Sequence, residues 1–172
     1  LYIADDRATV DAFGGESVDF GAGSYVPVSL EWTPGAGPAP WHATQAITVA
    51  GTRVTVAVGN RGTQTAHGVR VQAWVRDAAA GLPAWEGGVG WTQCQAVSGA
   101  TLPTSIAAGA SAQYGAFDLP AGLQAPFALL AIASCPADVA NAANGALPCA
   151  TAATRLADLV AGDNNLGLRY IA

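Results

Sequence analysis

Lysine and methionine are absent from this 172-residue chain, and charge of either sign is scarce: charged residues make up 11% of it, against about a quarter in an average globular protein. Arginine supplies all seven basic side chains, and these are scattered singly in a chain of net charge -5. No basic stripe exists to follow a phosphate backbone, so nucleic acid is excluded as a partner. Long apolar runs are missing too. The longest, Phe127 to Ala133, has the length of a strand and falls far short of the ~20 residues a membrane helix needs, so no membrane insertion is expected. Hydrophobic residues nevertheless reach 51%, which excludes a disordered chain and gives one domain enough apolar surface for a core.

Chemistry-bearing residues are equally thin. There are two histidines, His42 in a proline-rich stretch and His67 at the start of a strand pattern, and no Gly-x-Ser-x-Gly elbow, His-Glu-x-x-His helix or phosphate loop. Spacing leaves open a Cys94 or serine nucleophile with a distant histidine, but a non-catalytic domain is the expectation. Three cysteines make an odd number. Cys135 and Cys149 close a loop of about 15 residues, for which a bridge contributes ~3 kcal/mol in the chain-entropy account, leaving Cys94 free. A Cys94–Cys135 pair and three reduced buried thiols are the alternatives. A chain beginning at Leu1 and not at methionine reads as a segment of a longer protein, any leader or anchor lying outside it.

What the chain does have is period-two patterning. Val54, Val56 and Val58 alternate with Arg53, Thr55 and Ala57; Val69, Val71, Ala73 and Val75 alternate with Arg70, Gln72, Trp74 and Arg76. Each series is a half-buried strand, and Gly59, Asn60 and Gly62 punctuate the corner between them. Further strands are expected near 45–50, 89–96, 111–119, 126–134 and 166–171, with Phe127 to Ala133, apolar on both faces, in the middle of a sheet. Residues 1–44 read as an extension: a short strand at its start, a polar loop, an edge strand at 25–32 that tolerates Pro27, and a Pro/Gly-rich turn. Thr151 to Ala161 carries a helical pattern capped by Gly162, placing one short helix in the last crossover. The fold expected is all-β, an antiparallel β-sandwich of about seven to nine strands, with its core in residues 45–171 of a single 172-residue domain.

Two groups of side chains suggest ligands. Asp5, Asp6, Asp11, Glu16 and Asp19, and separately Asp163, Asn164 and Asn165, offer the hard oxygen donors calcium accepts, although their spacing fits no EF-hand and a solvated loop plus an Asx turn explains them as well. No other cofactor is expected. Trp74 points, by parity, away from the valine face with Arg70 and Arg76, and Trp85 and Trp91 follow in a glycine-rich stretch. Trp and Arg together are typical anchors for a sugar ring or a partner protein, unless Trp85, Trp91 or the N-terminal segment covers Trp74 as a second small core.

Val54-Thr-Val-Ala-Val-Gly-Asn-Arg-Gly62, Gly68-Val-Arg-Val-Gln-Ala-Trp74, Ala128-Leu-Leu-Ala-Ile132 and the closing Asp163-Asn-Asn-Leu-Gly-Leu-Arg169 together resemble the bacterial cell-adhesion-related (CARDB-like) domain over roughly residues 45 to 171. The resemblance implies an immunoglobulin-like sandwich. It also implies a non-catalytic accessory, adhesion or protein-interaction module of a secreted or cell-surface bacterial protein, its partners being a protein ligand or other domains of the parent chain. A carbohydrate-binding module of a secreted hydrolase is the alternative. The acidic stretch near the start and the excursion from Cys135 to Asn165 depart from the family's pattern.

Overall fold

A computed structural model of the chain describes residues 1, 46–60, 64–80, 85, 87–136 and 165–172. Among them lie nine strands: β1 (Ile47–Ala50), β2 (Arg53–Gly59), β3 (Ala66–His67), β4 (Arg70–Asp77), β5 (Thr92–Ala96), β6 (Ser105–Ile106), β7 (Ser111–Asp118), β8 (Phe127–Ser134) and β9 (Leu166–Ile171). Seven form one hydrogen-bonded array in the order β1-β2-β7-β5-β4-β8-β9, and β3 pairs with β6 in a separate ribbon. Every pairing is antiparallel. The described part of the chain is thus all-β and sandwich-like. No helix occurs among the described residues; the helix expected at 151–161 lies outside them, as do the strand candidate at 25–32 and most of the extension at 1–44.

Alternation built the strands and decides what they bury. In β2 the valines at 54, 56 and 58 are fully buried while Arg53 is exposed, and in β4 Val71, Ala73 and Val75 are buried while Gln72, Trp74 and Arg76 are half-buried on the other face. Val54, Val56, Val58, Val69, Val71, Val75, Leu129 and Ala131 all belong to one core with Tyr114 and Phe117 of β7. Burying each such valine or leucine contributes about 1.5–3 kcal/mol. A one-residue bulge shifts the register of β2 against β7 between Val54 and Thr55. On the exposed side of that pair, Arg53 and Asp118 meet at 2.8 Å.

β5 joins the two halves of the array. Its residues Thr92 to Cys94 pair with β4, whereas Gln95 and Ala96 pair with β7. The far edges also meet: the Arg169 guanidinium of β9 donates to the Ile47 carbonyl of β1. At the corner after β2, Asn60 is 5% exposed. Its Nδ2 donates to the carbonyls of Gln64 (2.8 Å) and Ile106 (2.9 Å), its backbone N–H to Ala110 and its carbonyl accepts from Gly109. Asn60 therefore ties β2 to the β3/β6 ribbon.

Candidate functional site

β8 is buried on both faces, and its outward residues Ala128, Leu130 and Ile132 are as inaccessible as its core ones. Register places Trp74 opposite Leu130, and Leu130 opposite Leu168, so Trp74 with the outer faces of β8 and β9 forms an apolar layer. Trp74 stands at its β5 side. Trp85 meets it edge to face, ring centroids 5.5 Å apart and planes at 80°, and Trp91 meets Trp85 at 5.5 Å and 65°. Such T-shaped pairs favour the ring quadrupoles over a sandwich stack. Trp85 and Trp91 are 2% and 7% exposed, so the three rings cover one another as a second small core.

Over this layer lies the turn Gly87–Gly90, closed by the Trp91 N–H donating to the Gly88 carbonyl at 3.0 Å. Gly88 (φ +91°) leaves no room for more: a β-carbon there would sit 3.3 Å from the Trp74 ring, and one on Gly90 (φ +73°) would sit 3.1 Å from Cζ of Arg76. The turn thus runs along β4 from Trp74 to Arg76. Arg76 donates to the Val89 carbonyl at 3.3 Å, and Val89 itself is 66% exposed, the exposed large hydrophobic side chain among the described residues. Nε1 of Trp74 and of Trp85 are buried without a hydrogen-bond partner.

The structure therefore gathers Trp74, Trp85, Trp91 and Arg76, and leaves Arg70 apart. Arg70 shares their face but lies four residues before Trp74, roughly 13 Å along the strand, at an exposed position opposite Ser134. Val89 was missed in the sequence because residues 89–96 read as a strand. The glycines at 87, 88 and 90 were the signal, each in a positive-φ conformation that begins β5 three residues later, at Thr92.

The other candidates fare differently. Cys94 and Cys135 are buried free thiols, in place of the bridge expected between Cys135 and Cys149; parity puts Cys135 on the core face with Ala131 and Ala133, and Cys149 lies outside the described residues. Cys94 cannot pair with Cys135 either. It sits opposite Ala73, which sits opposite Ala131, so two strand spacings and four residues put the thiols roughly 16 Å apart, far beyond a disulfide. Burial pushes the Cys94 thiol up to about 11, away from the thiolate a nucleophile needs. His67 is exposed on β3 and His42 lies outside the described residues, so the arrangement of Cys94 with a histidine is not assembled among them. The calcium candidates Asp5, Asp6, Asp11, Glu16, Asp19, Asp163 and Asn164 also lie outside, and the described residues hold no cluster of three metal-binding side chains. No described helix is long and apolar enough to cross a membrane. The chain matches no known protein family, no curated protein and no solved structure.

Proposed function

We propose that this domain is an immunoglobulin-like, non-catalytic interaction module of a secreted or cell-surface bacterial protein, and that it docks on a protein partner through the turn Gly87–Gly90. Two lines support the immunoglobulin-like assignment: the residue patterns that resemble the cell-adhesion-related domain, and the strand order. With β1, β2, β7 and β5 lettered A, B, E and D, and β4, β8 and β9 lettered C, F and G, the array follows the constant-type arrangement of sheets ABED and CFG, with D also bonded to C. Fold alone seldom settles function, so the site must carry the reading.

The observation that carries it is the state of the tryptophans. A sugar platform needs an open ring face, and Trp85 and Trp91 present none, being spent on each other and on Trp74. What the layer offers outward is Val89 on a turn held by the rings beneath it, with Arg76 beside it. An apolar tip on a fixed turn suits a protein surface, since preorganisation lowers the entropy cost of docking. Photo-crosslinking tests this. A benzophenone amino acid at Val89, in the parent protein in its own cell envelope, is expected to give a discrete protein adduct, whereas the same group at the exposed Gln95 gives none. Equal labelling at both positions would discard the docking turn. Affinity electrophoresis through soluble polysaccharides addresses the other reading: retardation abolished by Trp85→Ala would restore a carbohydrate-binding module.

A further inference from the structure

We infer that the docking turn selects a partner segment carrying an isolated carboxylate next to an aliphatic side chain, the carboxylate pairing with Arg76 and the aliphatic group packing on Val89. This rests on the interaction-module reading and gives its partner a chemistry. A singly exposed valine needs no explanation, but its setting does. Among the described residues, the charged side chain held against the turn is a guanidinium. Arg76 has five N–H donors and spends one of them, at 3.3 Å, on the Val89 carbonyl; among the described residues it has no carboxylate partner, the ion pair there being Arg53 with Asp118. Below the turn, the indole Nε1–H groups of Trp74 and Trp85 are unaccepted too, but they are buried beyond the reach of a surface ligand, which leaves Arg76 to meet it. A buried donor left unpaired costs about 1–3 kcal/mol, and native structures leave few of them. A guanidinium with spare donors and no carboxylate partner among the described residues is complementary to an anion.

The neighbouring groups narrow the anion. A guanidinium fork matches a planar carboxylate through two parallel hydrogen bonds. Gly90 lets Arg76 lie against the turn, 3.1 Å from where a β-carbon would be, so the guanidinium is held within reach of whatever touches Val89. A free small anion would leave Val89 in water. A phosphate backbone would meet a single arginine on a chain of net charge -5. The turn presents a single arginine, so one carboxylate is paired there while further acids in the peptide meet no second cation of the turn.

The test is a peptide array probed with the 172-residue chain. It holds peptides with a central Glu flanked by Val, Leu or Ile, the same peptides with Gln or Arg at the centre, and peptides with three consecutive Glu. Wild type is expected to prefer the single-Glu set roughly tenfold over its Gln counterparts, as a charged hydrogen-bonded pair implies, and to bind the triple-Glu set less well. Arg76→Gln should erase the Glu preference, and Arg76→Glu should turn it toward the Arg-centred set. Thermal melts and far-UV spectra of both variants confirm that the fold is kept. Equal retention of Glu and Gln peptides, no retention at all, or a Glu preference that survives Arg76→Glu overturns the inference. If any of these occurs while crosslinking from position 89 still yields its adduct, the carboxylate chemistry is wrong and the docking turn stands; if the adduct is missing too, the module reading itself has failed.

Discussion

Cys94 is a small hydrophobe that happens to be able to ionise, and its energetics follow from that. In the core opposite Ala73 it is 2% exposed, and burial raises its thiol from the ordinary 9.0 to about 11. The native state therefore holds its proton more tightly than the unfolded chain does. The resulting stability is fully present below about pH 9 and is lost as pH rises through about 11, on the order of 2 to 3 kcal/mol. Tyr114, buried with its hydroxyl unaccepted, is raised by the same cause and adds to the same alkaline loss. Urea midpoints of wild type should fall between pH 8.5 and 11, and Cys94→Ala, starting from lower stability, should show a shallower fall; parallel slopes in the two proteins would refute the assignment to this thiol. Asn60 makes the opposite case among polar residues. Its burial is tolerated because amide, N–H and carbonyl are all matched, which explains why an asparagine stands at a corner that turn propensity alone would give to several residue types.

Strands differ in how openly their sequences declare them. β2 and β4 were legible because one face of each is buried and the other is not, so period two survives in the residue order; β8 was legible for the opposite reason, being buried on both sides. The core test is Val56→Ala, expected to cost about 1–3 kcal/mol in urea unfolding, a little below the larger truncations. β3 and β6 were not legible, since two residues hold no period. Nor could spacing tell Arg76 from Arg70: both share Trp74's parity, and only the position of the turn after β4 separates them. The turn itself has a sharp signature. Gly88→Ala puts a β-carbon against the Trp74 ring in a backbone conformation L residues avoid, and should lower stability by about 1 to 2 kcal/mol with altered tryptophan emission, whereas Val89→Ser should stay within about 0.5 kcal/mol of wild type. A neutral Gly88→Ala would mean that the turn does not rest on the rings.

For the molecule as a whole, the contact between its outermost strands matters more than its size suggests. The Arg169 guanidinium, half-buried between β9 and the core, occupies the Ile47 carbonyl on the outer edge of β1. Arg169→Leu should cost about 1.5–3 kcal/mol, the worth of a charge-assisted hydrogen bond, and free the edge at which β1 ends the array of described strands, an edge that can pair with another molecule. Sedimentation across a concentration series would reveal that association; a variant that stays monomeric and as stable as wild type would show the contact to be incidental. Six successive antiparallel pairings separate β1 from β9, an even number, so the two strands point the same way. Tension entering at the start of β1 and leaving at the end of β9 pulls them in opposite senses along their length. A load applied across β1 and β9 would then act in shear, in which the Arg169 contact and the ladders of β1 and β9 must yield together, instead of peeling one hydrogen bond at a time.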